Sequence, residues 1–302
     1  MPSSLVSLSE DLAAIVTLVG RSVVAVHARS RLDSSGVHWT PGVVVTAAHT
    51  VRREEEIRIT TAAGATLNAE LAGRDPGTDL AVLRVQGLDV PTVSREEGSD
   101  LLPGQIALSI GRSKDSSIAA LGLVGSLSGP SSTWRGGKLE LVVRLSLELH
   151  PGGAGGAVVN AAGKLLGIAT HALSRFSVFA IPPATVDRVS SNLLTHGRVP
   201  RGYLGVGLQP IALPEHLKTK LGLNASIGLM VMSVDPEAPA GHAGVSLGDV
   251  LIELGGKAMA KPESVQEVLD SDSVGKAMPA KLLRGGNVLT LEITIGQRPR
   301  RG

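Results

Sequence analysis

The chain has 302 residues, enough for two or three domains with cores of their own. Hydrophobic residues make up 43% and aromatics only 2%, so Val, Leu, Ile and Ala must build the cores and base-stacking platforms for nucleic acid are excluded. Lys and Arg number 29 against 27 Asp and Glu, with no basic cluster longer than RPRR at 298–301, and there is no cysteine. These counts give no sign of a polyanionic partner and exclude disulfides, thiolate metal sites and a cysteine nucleophile.

The first apolar run, LAAIVTLV at 12–19, is too short to span a bilayer. It follows Glu10 and Asp11 instead of a basic stretch, and no small-residue cleavage site follows it. It is therefore expected to be an amphipathic helix, N-capped by Ser7 or Ser9, with Gly20 just past its end. Without a signal peptide the expected location is the cytoplasm, or the cell envelope if an N-terminal targeting segment was trimmed.

From Ser22 the pattern becomes short β-branched runs broken by Gly, Pro, Ser and Asp. They are SVVAVHA (22–28), GVVVTA (42–47), EIRIT (56–60), TLNAELAG (66–73), LAVLRV (80–85), QIALSIG (105–111), AALGLVGSL (119–127), LELVVRL (139–145), GAVVN (156–160) and LLGIAT (165–170). Strands at this spacing with hardly a helix between them predict an antiparallel barrel or sandwich. PPATVDRVSSNLLTHG (182–197) predicts one closing helix, with Pro at its first turn, an apolar stripe of Val186, Val189, Leu193 and Leu194, and Gly197 at its end.

RVPRG (198–202) is expected to be a linker. A mixed α+β module follows, with a hairpin whose turn falls at Gly285, Gly286 and Asn287. The expected division is a helical segment 1–21, a β domain 22–197, the linker, and a second domain 203–298.

Chemistry concentrates in three places. His49 directly follows the run VVVTAA, and Asp79 opens another strand. PGGAGG, Pro151 to Gly156, is a loop of the kind that aims backbone N–H groups at a negative charge. The order His, Asp, glycine-rich loop is that of chymotrypsin-type serine hydrolases.

The motifs then become specific. TAAH (46–49), TDLAVL (78–83), the altered PGGAGG, and matches at 163–168, 179–182, 201–206, 235–250 and 283–286 run in order along nearly the whole chain. Together they resemble the HtrA (Deg) family of serine proteases. That resemblance implies a mainly β fold, a chymotrypsin-like double six-stranded β-barrel followed by a small α+β PDZ domain. It also implies a homotrimer built through the protease domain, to which 1–21 contributes.

By the same resemblance His49 is the general base, Asp79 its orienter, and the N–H groups of Gly152, Gly153 and Ala154 the oxyanion donors. The departure falls on the chemistry. Where the family carries PGNSGG, position 154 is alanine and position 153 glycine. A methyl group cannot attack a carbonyl, so acyl-enzyme catalysis is impossible at this position as it stands. Either a single side chain has been removed from a protease for unfolded or damaged proteins, or the chain is a pseudoprotease that kept the scaffold to bind peptides or act as a chaperone.

Glu148 stands where trypsin-like enzymes carry the base of the specificity pocket. The favoured pocket is nonetheless apolar, lined by Leu149, Ile168 and Thr170. In the second domain Tyr203, Leu204, Gly205 and Val206 resemble the carboxylate-binding loop of PDZ domains, which implies capture of protein C-termini. His150 and His171 are expected on surface loops; with His27 and His38 they form no metal-ligand spacing, so neither metal nor other cofactor is expected.

Overall fold

Alternation along the strands of the computed structural model sends side chains to two different cores. Residues 4–30, 32–95, 101–114, 116–133, 135–174, 176–221, 226–270 and 273–297 are described. They fall into two units, Met1–Val199 and Pro200–Gly302.

In the first unit α1 (Ser4–Gly20) precedes a closed barrel. Its strands are β1 (Val23–His27), β2 (Ser34–Thr40), β3 (Val43–Ala47), β4 (Ile57–Thr60), β5 (Thr66–Asp75) and β6 (Leu80–Arg84), in the order β1-β2-β3-β6-β5-β4. Val24, Val26, Val44, Ile59 and Leu83 fill the inside of this barrel. Their neighbours Val23, Val45 and Val82 face the other way and join a second core. Both faces are buried, which is why these strands read as unbroken apolar runs.

A second closed barrel follows. It takes β7 (Ile106–Arg112) and β8 (Ser117–Ser128), then, past the short ribbon of β9 (Ser131–Ser132) and β10 (Lys138–Leu139), β11 (Val142–Ser146), β12 (Ala157–Asn160), β13 (Leu165–Thr170) and β14 (Val178–Ile181). The order is β11-β14-β13-β12-β7-β8. Leu108, Ile110, Val159, Ile168 and Ile181 meet Val23, Val45 and Val82 in the core shared by the two barrels.

The helix α2 (Pro183–His196) closes this unit as expected, with Pro183 in its first turn and Gly197 at φ +69° donating its N–H to the Leu193 carbonyl. The expected ends of α1 need correction. It begins at Ser4, so Ser7 and Ser9 lie inside it, and Gly20 is its last residue. Leu12, Ile15 and Val16 fix it by packing on the shared core, a tertiary contact that no capping pattern reports.

The second unit holds β15 (Gly202–Tyr203), β16 (Val206–Ala212), α3 (Glu215–Leu221), β17 (Ile227–Val234), α4 (Pro239–His242), β18 (Val250–Leu254), β19 (Lys257–Ala258), α5 (Pro262–Val268), β20 (Ala277–Arg284), β21 (Asn287–Thr294) and β22 (Gly296–Gln297). Its main sheet runs β16-β17-β18-β20-β21, with β16 at an edge. Gly202 pairs with Gln297, so a strand begins inside the expected linker. The hairpin turn is Gly285 and Gly286, at φ +56° and +79°; Asn287 already pairs with Arg284 in β21.

Candidate active site

Pairing of β3 with β6 assembles the site. Ala47 lies opposite Leu80, so the residues just past the end of one strand meet those just before the other. The Ala48 N–H donates to the Asp79 carbonyl at 2.9 Å, and a single 3-10 turn over Ala48–Thr50 then presents His49. Asp75 holds the approach to Asp79, accepting the N–H groups of Gly77 and Thr78, both at 3.1 Å.

Asp79 is fully buried and left-handed, at φ +58°. Its short polar side chain tolerates that conformation, which in most residues would cost about 1–2 kcal/mol. The carboxylate is satisfied from three directions. It accepts the His49 backbone N–H at 2.8 Å, the His49 Nδ1–H at 2.8 Å and the Thr170 hydroxyl at 2.5 Å. The imidazole is thus held in the tautomer whose Nε2 carries the free lone pair.

The glycine loop between β11 and β12 docks against this dyad. Gly155 has φ +83°, and a Cβ there would sit 2.2 Å from the Ser35 carbonyl oxygen and 2.8 Å from the Ala47 nitrogen. Only glycine lets the loop lie this close to the strand end that carries His49. The Gly155 N–H donates to Ala169 and the Ala169 N–H to Gly156, at 2.8 and 2.9 Å, which ties the loop to β13 beside Thr170. Ala154 is buried in this frame.

Of the three expected oxyanion donors, Gly153 is spent, because its N–H donates to the His150 carbonyl at 2.8 Å. Among the described residues the N–H groups of Gly152 and Ala154 have no hydrogen-bond partner. Of the three expected donors, these two remain unpaired.

The expected pocket divides. Glu148 and Leu149 line an open cleft of about 1270 Å³, together with Leu145, Leu147, Leu173 and Phe176. Ile168 does not line it: the side chain is fully buried in the core between the barrels. Thr170 is also fully buried, and its hydroxyl serves Asp79 instead of substrate.

His171 departs from its expected place as a surface residue apart from the chemistry. Its ring meets the His49 ring edge-on, with centroids 4.7 Å apart and planes at 73°. Partial burial lowers its pKa, and the nearby His49 and Arg29 charges act in the same direction against the opposing pull of Asp79. His150 is exposed, and its carbonyl is what touches the loop.

In the second unit Gly205 is again forced. At φ +78°, a Cβ would fall 2.0 Å from the Ala238 Cβ. The Leu204 side chain is buried in the core with Val265, while Val206 and Leu269 are partly exposed. The Leu204 and Gly205 carbonyls accept Ala240 and Asp235 N–H groups at 2.9 and 2.8 Å. The loop therefore leads rigidly into the open edge strand β16, with α5 packed beside it.

Comparison with known proteins agrees with both units. Residues 34–168 match the trypsin-like peptidase domain family and residues 202–295 the PDZ domain family. The chain is 30% identical over 278 residues to the probable periplasmic serine endoprotease DegP-like protein of Halomonas elongata, covering 90% of this chain and 57% of the relative. It is 28% identical over 268 residues to the serine protease Do-like HtrA of Lactobacillus helveticus, covering 84% and 65%. The crystal structure of the serine endoprotease from Yersinia pestis matches 99% of this chain and all of that one, with 26% identity and a TM-score of 0.76. The HtrA-type protease AlgW with tripeptide matches 96% of this chain and 98% of that one, with 26% identity and a TM-score of 0.73.

A trypsin-like peptidase domain followed by a PDZ domain is the arrangement of the HtrA serine proteases, which the chain resembles. The chain spans 57% and 65% of the lengths of the two curated relatives described. The name of the Halomonas protein places that protein in the periplasm, and the comparisons give the cytoplasmic expectation no support. Among the described residues no helix is long and apolar enough to cross a membrane.

Sequence reading gave Thr170 to the substrate pocket and His171 to a surface loop, and did not single out Ser35. Thr170 and His171 are adjacent on a strand end that carries no motif of its own, and Ser35 lies in the unremarkable SSG of β2. A polar residue closing an otherwise apolar strand, as in LLGIAT, was the available signal for Thr170.

Proposed function

We propose that this chain carries the machinery of an HtrA-type serine endopeptidase for unfolded or damaged polypeptides, with its nucleophile absent. It would hold a peptide in the cleft and leave it uncut. The observation that carries this reading is the complete Thr170–Asp79–His49 chain of hydrogen bonds beside a loop with two free N–H donors, interrupted only at Ala154. In that arrangement His49 is the general base, Asp79 and Thr170 fix its tautomer, and the Gly152 and Ala154 N–H groups stabilise a developing oxyanion.

The PDZ unit would take protein C-termini on the loop Tyr203 to Val206, the peptide adding as a strand to the free edge of β16. Exposed Leu5, Leu8 and Leu18 on α1 fit a homotrimer in which this segment joins neighbours. The cell envelope is the proposed location, by analogy with the periplasmic relative.

Restoring the hydroxyl tests the reading. Ala154→Ser should cleave casein or another unfolded substrate, and the chain as it stands should spare it. A folded, inert revertant would instead favour a non-catalytic peptide-binding protein or chaperone built on the same scaffold.

A further inference from the structure

A buried arginine joins the end of α1 to the glycine loop. Arg112, the last residue of β7, is 7% exposed. Its Nε donates to the Val23 carbonyl at 2.8 Å, and its Nη2 to the Gly20 carbonyl at 2.8 Å and the Ser117 hydroxyl at 3.0 Å. Its backbone N–H donates to the Ser35 hydroxyl at 2.9 Å, and that hydroxyl donates to the Gly152 carbonyl at 2.7 Å. The side chain thus holds the junction of α1 and β1, and the backbone holds the support of the loop.

The guanidinium completes the helix end. Arg21 and Ser22 N–H groups take the Leu18 and Val19 carbonyls at 3.4 and 2.9 Å, and the Gly20 carbonyl is left for Arg112. A cation there also suits the negative end of the helix dipole. Burial lowers the pKa of Arg112, and no carboxylate among the described residues pairs with it to raise it again. An arginine nonetheless stays charged, so this side chain carries its charge into the interior for the sake of backbone carbonyls.

We propose that Arg112 is a positioning residue: its guanidinium clasps the docked α1 and, through Ser35, sets the oxyanion loop, so that the loop keeps its two free donors in place only while α1 is docked.

The packing leaves little slack for any other outcome. Pairing of β7 with β12 stops at Ile110 opposite Ala157, so Gly111 and Arg112 face the loop instead of a strand. A Cβ on Gly111 would sit 2.6 Å from the Ser35 Oγ and 3.1 Å from the Gly153 Cα. A Cβ on Gly156 would sit 3.1 Å from the Gly111 Cα. Groups packed this closely pass a displacement on. The peptide plane that Ser35 holds, between Gly152 and Gly153, lies between the two planes that carry the Gly152 and Ala154 N–H groups.

Leu12, Ile15 and Val16 grip the core from the other side of α1, while Leu5, Leu8 and Leu18 are exposed. A neighbour that shifts α1 through those leucines would therefore be felt at the loop. The consequence for rate rests on the endopeptidase reading; the coupling itself does not.

Amide resonances of Gly152 and Ala154 in the full chain, labelled at glycine and alanine, test the coupling without any activity. Arg112→Gln and the milder Arg112→Lys should shift both. Val16→Ala, which loosens α1 from the core, should move them the same way and add little once Arg112→Gln is present. Arg84→Gln, which removes a like arginine–carbonyl bond to Leu194 at α2, should leave them in place. In an Ala154→Ser background, Arg112→Gln should lower kcat about tenfold with KM little changed, and Arg112→Lys should lower it less. Resonances that stay put in folded Arg112→Gln or in Val16→Ala overturn the proposal and leave Arg112 a stability element. If Arg112→Gln does not fold, Arg112→Lys decides on the same resonances. An inert Ala154→Ser chain would sink the endopeptidase reading alone, because the resonances report the coupling independently.

Discussion

The Ser35 hydroxyl donates to the Gly152 carbonyl oxygen at 2.7 Å, and through that bond the first barrel sets the peptide plane of the oxyanion loop on the second. The same hydroxyl accepts the Arg112 N–H at 2.9 Å, and the Ser35 N–H donates to the Ala154 carbonyl at 3.0 Å. The two pinned carbonyls fix the 152–153 and 154–155 peptide planes on either side of the Ala154 N–H, whose own plane is held by the Gly156 N–H donating to the Gly153 carbonyl at 3.1 Å. Ser35→Ala strands two buried polar groups, and the unfolding free energy of the barrel unit should fall by about 1–3 kcal/mol. Urea titration followed at Trp39 would measure it; an unchanged midpoint would remove Ser35 from this role.

Much of this arrangement was legible beforehand, and the reason is local. His49 and Asp79 each sit in a contiguous motif at a strand end, and β3–β6 pairing alone brings them together. Thr170, His171 and Ser35 reach the site only through packing between strands far apart in sequence. Ile168 was assigned to the pocket because an apolar residue in a strand points to either of two faces, and only the closed barrel shows which. The start of α1 was misplaced because the helix runs back through the exposed residues 4–11, ahead of Leu12, the first that packs on the core, and neither serine caps it.

Thr170 should matter to rate more than to binding. In an Ala154→Ser background, Thr170→Val removes one charge-assisted bond to Asp79, of the kind worth about 1.5–3 kcal/mol. kcat should then drop about ten- to hundredfold with KM little changed. Asp79→Asn should be more severe, because it favours the wrong tautomer of His49. Steady-state kinetics on a quenched peptide would decide, and a Thr170→Val revertant with full kcat would return Thr170 to a purely structural role.

The PDZ unit carries its own acid sensitivity. Burial alone would raise the Asp249 carboxyl, but the Arg284 guanidinium, bonded to both oxygens at 2.8 and 2.7 Å, and the Ser246 N–H outweigh it and hold the group below its ordinary value. A carboxyl depressed on folding contributes stability above its unfolded value, near about 3.9, and loses it as pH falls through the folded value. Thermal unfolding followed at Tyr203, the single tyrosine, should therefore show a midpoint that drops below about pH 4. Arg284→Gln should lower the midpoint at neutral pH and make little difference in acid. An equal effect at both would argue against the ion pair.

Peptide capture by the second unit depends on Gly205. Any Cβ at this position collides with Ala238, and the positive φ adds strain. Gly205→Ala should abolish binding of a peptide ending in Val, Leu or Ala and destabilise the unit. For the parent chain, the same peptide with an amidated C-terminus should bind much more weakly than the free acid. Calorimetry that finds equal affinity for acid and amide would show that the loop does not read a carboxylate.

The most direct measurement is covalent labelling with a fluorophosphonate, which reacts with a serine only when base and oxyanion hole are both in working order. The chain as it stands should take up no label. Ala154→Ser should be labelled stoichiometrically on the peptide containing position 154, and adding His49→Ala should abolish the reaction. A correctly folded Ala154→Ser protein that stays unlabelled would mean that more than the nucleophile is missing from this site.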